Sequence, residues 1–206
     1  MAEIIFKYFP NLSADQKKKF LRLKEIYSHW NSKVNTISRK DFDHFYERHV
    51  LHSLGIAKFF SFDKESRVLD FGTGGGFPGI PLALLFPDVQ FLLVDSIAKK
   101  IHVVNDVAKD LKMENLATQW TRVENISEQF DYITGRAVKE IPKILQWVEP
   151  LLDPKSEKNN SGIIYLKGGE FEEDLNRVGM QHSVNELKDV FNESFFETKK
   201  VIRFYL

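Results

Sequence analysis

Residues 70–76 read Asp-Phe-Gly-Thr-Gly-Gly-Gly and stand between two apolar runs, Arg67–Phe71 and Ile80–Phe86. Glycine lets a backbone pass close to a ligand and take positive φ without a Cβ clash. Four glycines in the five residues 72–76 are more than a tight turn needs. Two ligand chemistries compete for such a loop. A dinucleotide pyrophosphate would use Gly74-Gly-Gly-Phe-Pro-Gly79, which matches GxGxxG by the letter. Two features oppose it: Asp70 would set a carboxylate against the pyrophosphate, and Pro78 removes an amide from the anion-binding helix start. A sulfonium cosubstrate, S-adenosylmethionine, has no phosphate and carries positive charge, so an acidic residue at the strand end suits it. Asp95 lies 25 positions after Asp70. There a carboxylate can accept both ribose hydroxyls of either ligand class. Asp70 with its glycines discriminates; Asp95 alone does not.

Other polar groups fall at the ends of apolar runs, which is the pattern of a ligand site. Glu124 is either a group facing an adenine edge or a solvated loop acid. Arg136, beside Gly135, either serves the site or pairs with Asp131 or Glu140. Lys167, before Gly168-Gly169, is a site lysine or a surface one. Lys99 and Lys100 begin a helix, where the dipole disfavours cations; a phosphate would give them a reason to be there. Further upstream, Trp30-Asn31 with Asn35 stand out, as do Arg48-His49. These two could meet RNA phosphate or a base, or simply pack between helices. Lys17–Lys19, Arg22, Lys24, Arg39 and Lys40 form either a phosphate-contacting face or an ordinary solvated one.

The elements that must position these groups change character along the chain. Ser13-Ala-Asp-Gln16 reads as a capping box. After it, Phe20, Leu23, Tyr27, Trp30 and Val34 recur at helical steps. A second helix is expected from Asp41 to Phe60. From residue 67 the pattern alternates. Strands are expected at 67–71, 89–94, 117–123, 130–135, 162–166 and 199–206, with helices at 80–86, 99–111 and 139–152. Such alternation implies a mainly parallel, Rossmann-like α/β sheet, here with an antiparallel edge. The expected organisation is a helical extension over residues 1–62 and one compact domain over 63–206.

Composition excludes several chemistries. The 206 residues are 43% hydrophobic and 28% charged, which fits a folded, soluble chain. No run approaches the ~20 apolar residues of a bilayer span, and a cytoplasmic location without membrane attachment is expected. Cysteine is absent, so disulfides, thiolate metal sites and thiolate nucleophiles are excluded. None of the six histidines shows HExxH spacing, and no metal is expected. Net charge is zero overall, but residues 1–66 hold 12 basic and 8 acidic side chains. Any nucleic-acid face is therefore local.

Trp30-Asn-x-x-x-Asn35, Arg48-His49, Asp70-Phe-Gly-Thr-Gly-Gly-Gly-Phe-Pro-Gly-Ile-Pro81, Asp95-Ser96 with Lys99-Lys100, Arg122-Val-Glu124, Gly135-Arg-Ala137 and Leu166-Lys-Gly168 occur in one order. Together they resemble the bacterial 16S ribosomal RNA guanine-N7 methyltransferases, the glucose-inhibited division protein B family. The resemblance implies S-adenosylmethionine as cosubstrate and N7 of a guanine, at position 527 of 16S rRNA in the small ribosomal subunit, as acceptor. It implies that Gly72, Phe77, Val123, Glu124 and Arg136 bind the cosubstrate, with Asp95 and Gly74 lining the same pocket. One position departs: where the family reads His-x-x-Asp-Ser, this chain has His49-Val-Leu-His52-Ser53.

Guanine N7 has an in-plane lone pair and no proton, so methyl transfer to it needs alignment rather than a general base. Arg136 and Lys167 are the candidates for the reacting site, Arg136 as a positioning group. Asn35, Arg48, His49, Lys99 and Lys100 are the candidates for RNA contact. A small-molecule methyltransferase with the same cosubstrate, a dinucleotide-binding regulator and a protein-binding module are the alternatives. A monomer is favoured.

Overall fold

The capping box forms as expected. Gln16 Oε1 accepts from the Ser13 amide at 2.9 Å, and Ser13 Oγ accepts from the Gln16 amide at 3.2 Å. In the computed structural model, residues 1–31, 33–34, 36–136, 140–159 and 161–205 are described, without the side chains of Arg39 and Lys40. Helix α1 (Glu3–Tyr8) precedes α2 (Ala14–Asn31), which buries Phe20, Leu23, Ile26 and Tyr27. The expected second helix is broken. It consists of α3 (Arg39–Phe42), a π-helical turn (Tyr46–Leu51), α4 (His52–Leu54) and a 3-10 turn (Gly55–Lys58). Apolar spacing over so few turns does not separate a 3.6-residue period from the wider π turn.

Strand β1 (Arg67–Phe71) leads through the glycine turn to α5 (Gly79–Leu85). Then come β2 (Gln90–Asp95), α6 (Ala98–Asp110), β3 (Leu116–Trp120), β4 (Tyr132–Arg136) and α7 (Ile141–Val148). The chain continues through β5 (Gly162–Gly168), α8 (Glu172–Asn176), β6 (His182–Glu186) and β7 (Lys199–Phe204). The sheet order is β3-β2-β1-β4-β5-β7-β6. The first five strands are parallel, and β7 lies antiparallel to both β5 and β6. The antiparallel edge was expected, but β6 was not: its residues, HSVNE, are half-exposed and polar. Strand β3 stops before the expected Val123: the Thr121 amide makes the last ladder bond, to the Asp95 carbonyl, and Val123–Asn125 then form a 3-10 turn. The start of the expected helix 139–152 falls partly outside the described residues.

Two apolar clusters cover the two faces of the sheet. One joins α7 and α8 to Leu69, Ile133 and Ile163. The other joins the N-terminal helices to Val68, Phe91 and Leu166. Residues of the 1–62 segment thus share a core with the sheet. Tyr27 also donates from its hydroxyl to the Gly75 carbonyl at 2.5 Å, tying α2 to the glycine turn. Among the described residues, no helix is long and apolar enough to cross a membrane.

Candidate functional site at the strand ends

The glycine turn is held from below. Asp70 is fully buried; its Oδ2 accepts from Thr73 Oγ1 at 2.6 Å and from the Gly79 amide at 2.9 Å, and its Oδ1 accepts from Thr134 Oγ1 at 3.2 Å. A Cβ at residue 79 would stand 2.7 Å from Asp70 Oδ2, so only glycine permits this approach. Burial pushes the Asp70 carboxyl up to about 7, against the pull of those three hydrogen bonds and of Arg136. Asp70 was expected to face the cosubstrate. It lies beneath the turn instead, because its strand position directs it into the protein.

Asp95, 6% exposed, lies on the cavity side of the same turn. Its Oδ2 accepts from the Gly74 amide and its Oδ1 from the Ile97 amide, both at 2.9 Å. Gly74 reaches it with φ near +60°, a conformation that favours glycine. Lys100 stands 3.7 Å from Asp95 Oδ2. That ion pair accounts for a lysine in the first turn of α6 without a phosphate; Lys99 is exposed.

Two cavities open at the carboxyl ends of the parallel strands, where open α/β sheets bind ligands, one at β1 and β2 and the other at β4 and β5. The first, about 330 Å³, is lined by Phe71, Gly72, Asp95, Val123, Glu124 and Trp147, with Val94, Ser96, Thr121 and Arg122. It unites four of the expected residues, Gly72, Asp95, Val123 and Glu124. Gly74 borders it through its bond to Asp95. Phe77 does not line it: the ring is 4% exposed and packs 5.2 Å from Tyr27 and 5.3 Å from His49. Trp147 was not anticipated, since a tryptophan on an apolar helix face reads as core.

The second cavity, about 630 Å³, opens beyond β4 and β5. Arg136, Lys167, Arg48 and His49 come together here, with Asp41, His52 and Lys199. Arg136, expected in the cosubstrate pocket, lines this cavity. Its Nη2 meets His49 Nδ1 at 3.2 Å, its Nη1 donates to the Arg48 carbonyl at 3.4 Å, and its guanidinium lies 5.3 Å from the Phe77 ring centre. Arg48 pairs with Asp41 at 2.9 Å. Burial pushes Arg136 down to about 10. Burial, reinforced by Arg136, pushes His49 down to about 3 and holds His52 well below the usual histidine range. Both imidazoles are therefore neutral near pH 7. His52 and Lys199 were missed as site residues. Lys199 follows a stretch of short 3-10 turns that has no apolar period to place it.

Asn35 lies outside the described residues. On α2, Lys19 pairs with Asp15 at 2.8 Å and Arg22 donates to the Asp110 carbonyl at 3.0 Å, so these two serve the fold. A larger hollow of about 760 Å³ lies at the opposite end of the sheet, beside Gln16, Gln90 and Asn115, away from every strand-end group named above.

Comparison with known proteins identifies the family and the fold. Residues 16–202 match the family model described as rRNA small subunit methyltransferase G. Proteins named ribosomal RNA small subunit methyltransferase G from Phocaeicola vulgatus and Christiangramia forsetii are 46% and 47% identical. Each alignment covers 97% of this chain, and 96% and 95% of those proteins respectively. Among solved structures, a SAM-dependent methyltransferase from Aquifex aeolicus superposes with a TM-score of 0.58 over 82% of this chain and 100% of that one, at 14% identity, which supports the fold. By sequence over nearly its whole length, this chain belongs to the rRNA small subunit methyltransferase G family.

Proposed function

We propose that the chain transfers the methyl group of S-adenosylmethionine to N7 of a guanine, at position 527, in 16S rRNA of the small ribosomal subunit. Family membership carries rRNA methylation as the activity. The observation that carries the finer reading is the pair of cavities at the strand ends. One has the carboxylate, glycine backbone and aromatic wall suited to an adenosine. The other has cations and neutral imidazoles suited to an RNA base and its phosphates.

In this reading Gly72, Asp95, Val123 and Glu124 hold the cosubstrate, with Asp95 toward the ribose. Asp70, Gly74 and Phe77 contribute by fixing the turn and the wall behind it. Arg136, at the end of β4 in the lining of the second cavity, positions the base. Lys167, Arg48 and His49 face the RNA, with Lys99 and Lys100 beside the cosubstrate mouth. Asn35 keeps its place among the RNA-contact candidates. The N7 lone pair attacks the methyl carbon as the carbon–sulfur bond breaks, leaving S-adenosylhomocysteine; no proton moves. Positive charge passes from sulfur to the guanine ring, so groups placed around that ring set the rate. Recognition of an unstacked base in a shaped RNA suits a protein without overall positive charge. Small subunits or protein-bound rRNA are then better substrates than naked fragments. The enzyme acts as a cytoplasmic monomer.

The test is transfer of labelled methyl from S-adenosylmethionine to small subunits that lack the modification, followed by strand scission at 7-methylguanosine. One new scission in 16S RNA at the stated guanine is expected. Transfer to another atom or another RNA would overturn the assignment.

A further inference from the structure

Three buried side-chain nitrogens of residues that line the second cavity, Arg48 Nε, His49 Nε2 and His52 Nε2, have no hydrogen-bond partner among the described residues. The two histidine nitrogens differ in kind. Arg136 donates to His49 Nδ1, so the His49 proton sits on Nε2, a donor with no acceptor. The His52 ring lies against the Arg48 backbone carbonyl, which favours the ring proton on Nδ1 and leaves the unpartnered Nε2 without one. A backbone carbonyl takes a proton there, so His52 Nε2 is a bare acceptor. His52 is 6% exposed and its ring is wedged against Phe195, 5.4 Å away, and Phe196, 6.2 Å away. An unmet donor and an unmet acceptor, both closed to solvent and each costly to leave buried, thus belong to two side chains, three residues apart, that line one cavity.

Resting on the guanine-N7 reading above, we infer that His49 Nε2–H and His52 Nε2 read the O6 and N1–H groups of the target guanine. The order of atoms agrees. Arg136 and His49 lie toward the glycine turn, next to Phe77, whereas His52 lies farther out, toward Phe195 and Lys199. Round the rim of guanine the sequence is N7, O6, N1–H. With N7 facing the methyl donor, O6 falls to His49 and N1–H to His52. Adenine would set its N6 amino group against the His49 donor and its bare N1 against the His52 acceptor, two mismatches at once. The bond to His52 also strengthens during reaction, because methylation at N7 makes N1–H more acidic, so its loss falls on kcat more than on KM. The chain's histidine at position 52 is thereby a specificity-determining residue.

The experiment uses small subunits reconstituted with 16S rRNA ligated from a synthetic segment that carries guanine, inosine or 2-aminopurine at the target. Inosine keeps O6 and N1–H; 2-aminopurine lacks both. Wild-type protein is expected to methylate guanine and inosine within about five-fold of each other and 2-aminopurine at least roughly 100-fold more slowly. His52→Leu is expected to lower kcat/KM on guanine roughly 10- to 100-fold. It should shrink the guanine over 2-aminopurine ratio by about ten-fold or more, with S-adenosylhomocysteine binding kept. His52→Gln, which returns an acceptor oxygen, should recover most of the guanine rate. An unchanged ratio in His52→Leu, or equal use of 2-aminopurine by the wild type, overturns the inference; the second result stands even if a variant misfolds. Absence of any 7-methylguanosine from wild type on unmodified RNA would instead overturn the guanine-N7 reading, and the inference with it.

Discussion

The two cavities are built on opposite principles. In the first, the carboxylate that faces the opening is already satisfied: Asp95 holds the Gly74 and Ile97 amides, and Asp70 holds the turn from below. In the second, three buried nitrogens are left without partners among the described residues. A site that meets its own hydrogen bonds keeps one shape whether occupied or not, and selects a ligand by fit. A site that leaves them unmet favours the ligand that completes them and rejects a near-isostere. On the proposed reading of the two cavities, cosubstrate binding and base discrimination are separable, and substitutions should divide along the same line.

The largest effect is expected at Asp70. Asp70→Ala strands the Gly79 amide and two hydroxyls beneath the turn. It should cost about 2–4 kcal/mol in urea unfolding and abolish S-adenosylhomocysteine binding, although Asp70 lines neither cavity. An unfolding midpoint equal to the wild type's would remove the turn-holding role. Next is Arg136→Ala, which should slow methyl transfer by roughly 100-fold while the calorimetric affinity for S-adenosylhomocysteine changes less than about five-fold. Its pH–rate profile should show no new ionisation near neutrality. A large loss of affinity would return Arg136 to the cosubstrate pocket and blur the division. Asp95→Ala is the converse: S-adenosylhomocysteine affinity should fall about 10- to 30-fold, with binding of the small subunit unchanged in a sedimentation assay. Reduced particle binding would show the two cavities to be coupled.

The smallest effect per unit measured is the pH dependence of stability. His49 and His52 stay neutral in the fold well below 6.5, so the unfolded chain binds two protons there that the folded chain does not. Their contribution rises with pH up to about 6.5. Asp70 works the other way: its folded value of about 7 lies above the usual 3.8, so the folded chain keeps one proton that the unfolded chain has released. Its contribution falls as pH rises between those values. From these three groups the net is one proton, and stability should climb by about 1.4 kcal/mol per pH unit between roughly pH 4 and 6. His52→Leu should remove that slope. Urea midpoints at three pH values would decide it, and a slope that survives the substitution would place a charge on His52 in the fold.

How much of this was legible in the sequence depended on period and on burial. The glycine turn, Asp95 and the parallel strands could be read because buried strands are short apolar runs and the turn is compositionally extreme. Arg136 and Lys167 could be found because each closes such a run. What burial does to a named residue could not be read in the same way. Asp70 was identifiable, but its direction follows from the register that sets it opposite Thr134. The path that carries His49 and His52 into one cavity is a π turn, for which apolar spacing gives no distinct signal. Phe195 and Lys199 come from 3-10 turns and the start of a strand.

The two strands at the ends of the sheet were the hardest to delimit. β3 reads LATQW and β6 reads HSVNE, five residues each, and every residue of both is partly or fully exposed. The shortness of both has its own consequence. An outermost strand offers unpaired amides and carbonyls to any other chain, and a long apolar one invites stacking into fibrils. Here the apolar strands are enclosed between two five-residue strands, of which β3 exposes Trp120 and β6 exposes Val184. Among the described residues the sheet therefore ends in two short borders, which limits the length along which copies could add to one another.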